Sequence, residues 1–272
     1  MVDLHHHLLP GLDDGSPDLA TSVSMARAAA ADGITHVVCT PHASSRYPYA
    51  PQLVASKLDK LRSALAAESI PLTLGQGCDF HLSYDNIQDA LANPTRYTIN
   101  HKKYLLIELP DFGIPPSIGE TFYDFQYAGI TPILTHPERN PTLQRNLALL
   151  AEWMRNGMLV QVTTSSVLGK MGKEAERVAR KLLEDRWVHF LSTDAHNLTT
   201  RPPKMREACD HVAKRYGTAY AQRLCLTNPQ AVFEGQPLPE QDRPRNLFDD
   251  EDDDTESPPQ TSWWKRLFKS RG

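Results

Sequence analysis

No stretch of the 272-residue sequence is apolar over the length needed to cross a bilayer, and its start shows no basic region leading into an apolar one. Those absences make cytoplasmic residence the expectation. Excess basic charge is lacking too: 29 Lys and Arg stand against 33 Asp and Glu, a formal net charge of −4. Nucleic-acid binding leaves a basic electrostatic footprint, so the overall balance offers no case for such a partner. The imbalance is local. Nine of the acidic and six of the basic residues lie from Pro239 onward, leaving 24 and 23 before it. Cysteine is scarce and scattered: Cys39, Cys78, Cys209 and Cys225 make no C-x-x-C pair and no dense framework. They are expected as reduced thiols of a cytosolic protein.

What is present is a rhythm. Short apolar runs recur at 2–5, 34–40, 72–78, 104–109, 130–135, 158–163 and 187–192. Helical patterns lie between them. The Ala-rich stretch from Ser22 to Ala31 is stopped by Asp32-Gly33, and Leu58, Leu61 and Leu65 fall at helical spacing. Leu143 to Arg155 is stopped by Asn156-Gly157, and the stretches from Glu174 to Asp185 and from Pro203 to Tyr216 complete the series. Strands alternating with helices predict parallel pairing, hence an α/β layer or barrel. One barrel-like catalytic domain is expected over residues 1–238. Residues 239–272 differ in kind, with prolines bracketing an acidic run from Asp249 to Glu256. Such a composition buries too little surface to fold, so a disordered tail is expected. Its aromatic and basic end, Trp263 to Lys269, suits at most a weak peripheral membrane or partner contact.

Chemistry gathers at the strand ends. Asp3-Leu4-His5-His6-His7 and Asp194-Ala195-His196 each follow an apolar run. Alternation along a strand points His5 and His7 together and His6 away. Other strand ends supply Asp13-Asp14, His42, Asp79, Glu108 and His136. A single histidine after a strand is usually a hydrogen-bonded loop residue. A barrel in which nearly every strand ends in His, Asp or Glu is a different case, because buried carboxylates need a counter-charge that metal ions provide. Imidazole with carboxylate suits zinc, manganese or iron.

Five segments in order resemble the polymerase-and-histidinol-phosphatase (PHP) superfamily. They are Asp3-x-His5-x-His7, Gly11-Leu12-Asp13-Asp14-Gly15, Thr40-Pro41-His42, Thr135-His136-Pro137-Glu138-Arg139 and Ser192-Thr193-Asp194-Ala195-His196-Asn197. The Asp-Asp-Gly and the Asn197-Leu198-x-x-Arg201-Pro202-Pro203 stretch are similar to its bacterial manganese-dependent protein tyrosine phosphatases of capsule and exopolysaccharide loci. The resemblance covers about residues 1–235. It implies an α/β fold, a distorted (β/α)7 TIM-like barrel, holding three divalent ions, manganese first with iron or zinc as alternatives. Carried over, His5, His7, Asp79 and Asp194 would hold the first ion. Asp79, Glu108 and His136 would hold the second, and Asp14, His42 and His196 the third. One position departs: Gly77-Cys78-Asp79 carries the shorter acid where the family pattern has Glu.

The implied activity is hydrolysis of phosphotyrosine by a metal-activated hydroxide, with Arg139 and Arg201 gripping the phosphate bidentately. The implied substrate is a phosphotyrosine protein, the cytoplasmic tail of a polysaccharide-biosynthesis tyrosine kinase, and a homo-oligomer stays open. Alternatives are a small-molecule phosphatase of the histidinol-phosphate type and a non-catalytic metal-bound scaffold. Cys209 and Arg215 match the C-x5-R spacing of cysteine-dependent phosphatases. Their stretch has no glycine and reads as mid-helix, so its amides cannot cradle phosphate; the match is expected to be chance.

Overall fold

Pro41 has no N–H to give to a strand ladder. In the computed structural model the second apolar run gives β2 (His36–Cys39), and past Pro41 a short strand follows, β3 (His42–Ala43). The third run gives β4 (Thr73–Gln76), and past Gly77-Cys78 a further short strand follows, β5 (Asp79–His81). Pairing carries on across both breaks, with Gly77 N–H donating to Cys39 O at 3.0 Å and Asp79 N–H to Pro41 O at 3.1 Å. The remaining strands are β1 (Val2–His6), β6 (Tyr104–Glu108), β7 (Thr131–Thr135), β8 (Leu159–Thr163) and β9 (Phe190–Ser192). The structure describes residues 1–110 and 113–248.

Every pairing between strands is parallel, in the order β1-β2-β4 and β3-β5-β6-β7-β8-β9. Two backbone bonds of 2.9 Å close the circle, His7 N–H to Ala195 O and Asp194 N–H to His5 O. The seven runs expected from the sequence thus make one distorted barrel. Part of the distortion lies between β4 and β6. There Asn100, at φ 51°, accepts a side-chain bond from Gln76 N–H and donates to Phe233 O.

An outer layer of helices covers the barrel: α1 (Leu19–Ala31), α2 (Pro51–Ala67), α3 (Tyr84–Ala92), α4 (Ile118–Tyr127), α5 (Pro141–Arg145), α6 (Leu147–Arg155), α7 (Thr164–Val167), α8 (Lys173–Glu184) and α9 (Arg206–Tyr216). The expected helix from Leu143 to Arg155 breaks at Asn146, whose side chain accepts from Ala148 N–H and caps a new start. After α9 the chain runs through α10 (Thr218–Gln222), a π-helical turn (Arg223–Thr227) and α11 (Asn228–Glu234). Alternation divides the core. Val37, Leu105, Ile107, Leu134, Val160 and Leu191 pack outward with the helices. Val2, Leu4, Val38, Leu106, Ile133 and Phe190 plug the lumen.

Two expectations are corrected. Cys209 on α9 and Cys225 on the π-helical turn form a disulfide, with Cα atoms 6.5 Å apart, whereas Cys39 and Cys78 are buried free thiols. The separation of 16 residues between Cys209 and Cys225 is folded back by α10, which packs on both α9 and the turn, and no local pattern announces that. Packed chain also runs past residue 238, to Phe248. Trp187 Nε1–H donates to Arg245 O at 2.8 Å, Arg155 Nε–H to Leu247 O at 2.6 Å, and Leu247 is buried. The acidic run and the Trp263–Lys269 end lie outside the described residues. Among the described residues no helix is long and apolar enough to cross a membrane.

Candidate metal centre

The carboxyl ends of the strands open on one mouth. In β1 the register against β2 slips between Asp3 and His6, since Asp3 pairs with Val37 but His6 with Cys39. This bulge inserts one residue, so Val2 and Leu4 plug the lumen and His5 and His7 still reach its mouth. His6 faces the other way, fully buried and outside the donor groups, as alternation predicts. His136 and Asp194 follow β7 and β9 in the left-handed region, with φ of 34° and 51°. That conformation is uncommon without glycine and turns each side chain over the mouth. The Gly11–Gly15 loop folds back on β1. A Cβ on Gly15 would stand 2.4 Å from His7 O, so only glycine lets this loop seat.

Four overlapping groups of donor atoms result, each within 4.8 Å: His5, His7 and Asp194; His5, Asp79 and His136; His7, Asp14, His42 and His196; and His42, Asp79, His81 and Glu108. All nine ligands expected from the sequence are gathered here. Asp194 Oδ1 lies 3.3 Å from His5 Nε2 and 3.4 Å from His7 Nε2. Asp79 Oδ2 lies 3.5 Å from His5 Nε2 and 3.2 Å from His42 Nδ1. Glu108 Oε1 is 3.4 Å from His136 Nε2, and Asp14 Oδ1 is 3.3 Å from His42 Nε2 and 3.5 Å from His196 Nε2.

Sequence reasoning missed the groups that aim these ligands. His7 Nδ1–H donates to Asp13 Oδ2 at 2.7 Å, and His5 Nδ1–H to Gln161 Oε1 at 3.1 Å. His196 Nδ1–H donates to Asp194 O at 3.0 Å. Each bond ties off one ring nitrogen and presents the other to the mouth, as supporting partners of metal-bound imidazoles do. Asp13 sat beside a predicted ligand, whereas Gln161 hides in an apolar strand. His81 was missed as well, because the run was taken to end at Cys78. Arg139 Nη1–H donates to Asp194 Oδ2 at 2.5 Å, and Arg201 bonds the same oxygen.

Ionisation suits a cation. Burial would push Asp194 up, but His5, His7 and Arg201 outweigh it and hold the carboxyl well below the ordinary range. The same balance, struck by His5 and His42, keeps Asp79 ionised. Burial and Arg139 hold His136 well below the usual imidazole value, and burial and His7 push His196 down to about 3, so both offer neutral lone pairs. Against its burial, Asp13 and Asp194 raise His7 to about 10; a proton there supplies counter-charge that a bound cation would replace. Neither oxygen of Asp79 nor Nε2 of His196 has a hydrogen-bond partner among the described residues. Fully buried carboxylate oxygens without partners are costly, and they converge on imidazoles. The donor set therefore fits divalent ions.

A closed parallel barrel with imidazoles and carboxylates gathered at its strand ends has the architecture of the TIM-barrel-like metallohydrolases. The chain belongs to the CpsB/CapC family of capsular polysaccharide synthesis, whose model matches residues 1–234. It is 35% identical over 245 residues to the tyrosine-protein phosphatase YwqE of Bacillus subtilis, covering 88% of this chain and 96% of that one. Identity to the tyrosine-protein phosphatase CpsB of Streptococcus pneumoniae is 27%, covering 86% and 98%. A crystal structure from work on YwqE and CpsB, described as metal-dependent tyrosine phosphatases, superposes with a TM-score of 0.84 at 33% identity, covering 90% of this chain and 98% of that one. A lactonase from Listeria monocytogenes, with a TM-score of 0.55 at 11% identity, shares the fold alone.

Proposed function

We propose that this protein is a metal-dependent tyrosine phosphatase working at the barrel mouth. The observation that carries the reading is the convergence of four overlapping donor groups at the mouth, two of them sharing the unpartnered carboxylate of Asp79. The full-length likeness to YwqE and CpsB supplies the substrate class. Three divalent ions are the proposed complement, manganese first, with iron or zinc as alternatives. His5, His7, Asp79 and Asp194 would hold one; Asp79, Glu108 and His136 a second; Asp14, His42 and His196 a third. Ions bound there would bring the pKa of a water toward neutrality and offset charge on the phosphoryl oxygens.

The chain's own groups do the positioning. Asp194 divides its oxygens, Oδ1 toward His5 and His7 and Oδ2 toward Arg139 and Arg201. Each guanidinium has five N–H donors, so holding Asp194 leaves donors for a phosphate dianion. Their side chains are 25% and 27% exposed, open enough to meet substrate from solvent. Cysteine chemistry has no place here: Cys209 lies within α9 and is bridged, and Arg215 pairs with Glu184. The proposed substrate is the phosphotyrosine tail of a polysaccharide-biosynthesis kinase, met in the cytoplasm.

Purified protein should hydrolyse an aryl phosphate and a phosphotyrosine peptide with added manganese. Activity should be lost to a chelator and should survive thiol alkylation. Turnover of histidinol phosphate far above phosphotyrosine peptide would overturn the substrate. Bound metal with no turnover of any phosphate ester would overturn catalysis in favour of a scaffold.

A further inference from the structure

β5 sends Asp79 and His81 to the same side, because residues two apart on a strand share a face. His81 Nε2 reaches 2.5 Å from Glu108 Oε2 and 3.1 Å from His42 Nδ1, and its donor atom belongs to one group with those of His42, Asp79 and Glu108. We propose that His81 is a metal ligand of this chain, its Nε2 joining Asp79 and Glu108 on a divalent ion at that corner of the mouth. The inference rests on reading the mouth as a metal centre, not on the identity of the substrate.

Two arguments separate ligation from a plain hydrogen bond. The first is the count of lone pairs. His42 faces Asp14 and His196 with Nε2, and Asp79 and Glu108 with Nδ1. A neutral imidazole has one lone pair. Once Nε2 gives its pair to the Asp14 and His196 side, Nδ1 carries a proton and can only donate toward the Asp79–Glu108 corner. Any nitrogen that side takes beyond His136, whose Nε2 lies 3.4 Å from Glu108 Oε1, must then come from another ring, and His81 is in place. The second argument is reach. Asp79 is the shorter acid at a position where the resembled pattern has Glu, which draws its carboxylate back toward the strand. His81, two residues further along the same face, brings its Nε2 to 2.5 Å from Glu108 Oε2 at that corner. Its side chain is 33% exposed, so the corner is reachable by ions from solvent.

The added nitrogen has a consequence for metal choice. Replacing oxygen donors by imidazole favours iron, cobalt or zinc over manganese and magnesium. This chain should therefore hold its ion at the Asp79–Glu108 corner with more bias toward cobalt and zinc than the two carboxylates and His136 alone would give.

The test is calorimetric titration of chelator-stripped protein with Co2+ and, separately, Mn2+, with the cobalt absorption bands as second readout. His81→Ala should weaken one binding step by about tenfold or more, as even supporting partners of metal ligands do. The loss should be larger for Co2+ than for Mn2+, and the cobalt bands should change. His81→Gln keeps a hydrogen-bond donor for Glu108 and should show the same loss. Adding Asp79→Glu to His81→Ala should recover part of it. Unchanged affinities in His81→Ala, or full affinity in His81→Gln, would reduce the contact to a hydrogen bond and overturn the proposal. His81-dependent binding without phosphatase activity would break the proposed function and leave this assignment standing; chelator-sensitive activity with His81-independent binding would do the reverse.

Discussion

Asp194 ties the ligand set to the arginines, so single atoms there decide function. Arg139 and Arg201 share its Oδ2 while Oδ1 faces His5 and His7. Lysine at 139 would keep the charge but lose the planar fork. Arg139→Lys should lower kcat/KM on aryl phosphate by about 10²-fold, the scale of losing one transition-state donor. Its melting temperature should stay near that of the parent. Asp13 makes the complementary case, since its Oδ2 accepts from His7 Nδ1–H and from His42 N–H and its Oδ1 from Gly15 N–H. Asp13→Ala should weaken metal binding by about 10- to 100-fold although Asp13 is no proposed ligand; equilibrium dialysis against manganese measures it. The gathering of the nine expected donor residues was legible because most of them follow an apolar run directly, with Asp14 in the loop beyond the first. His81 and Gln161 were not, since the first follows a run taken to have ended and the second is a polar residue inside one.

Elements were legible where hydrophobic period and stop signals agreed. α1, α2, α8 and α9 overlap the stretches read as helical, and Asp32-Gly33 ends α1 where expected. α3 and α4 were missed, and α11 carries too little pattern to stand out. The runs at 34–40 and 72–78 were taken to end at Thr40 and Cys78, so the short strands β3 and β5 just past them were not foreseen, and only the pairing shows them. The β1 bulge is invisible to alternation alone, which specifies that His5 and His7 agree but not which side they reach. The disulfide belongs to this scale too. It closes a loop of 16 residues between α9 and the π-helical turn. Loop-closure entropy predicts that Cys209→Ser destabilises by about 3 kcal/mol. Denaturant unfolding of the variant, against the oxidised parent, measures that difference. Aryl phosphatase activity at low temperature should be unaffected, because the bridge lies outside the mouth.

The molecule as a whole is a barrel closed by its first and last strands, and its global stability has an acid limit that one buried ring helps set. His189 Nδ1 accepts from Val160 N–H at 3.1 Å, and burial pushes this histidine down to about 4. Below the ordinary imidazole value the unfolded chain takes up a proton that the folded chain refuses. The resulting stability is fully present above about pH 6.5 and lost as pH falls toward about 4. In His189→Gln, which keeps an acceptor, urea midpoints should fall less between pH 7 and pH 4.5 than in the parent. An equal fall would place the acid sensitivity elsewhere.

The same closure sets a schedule for biosynthesis. His5 and His7 leave the ribosome nearly two hundred residues of translation before Asp194 and His196, which stand beside them at the mouth. A nascent chain or a truncated product thus carries isolated imidazoles without the carboxylate that completes their group. On the proposed function, metal acquisition would be a late event that inspects the folded molecule, and prematurely terminated chains should compete poorly for the cell's divalent ions.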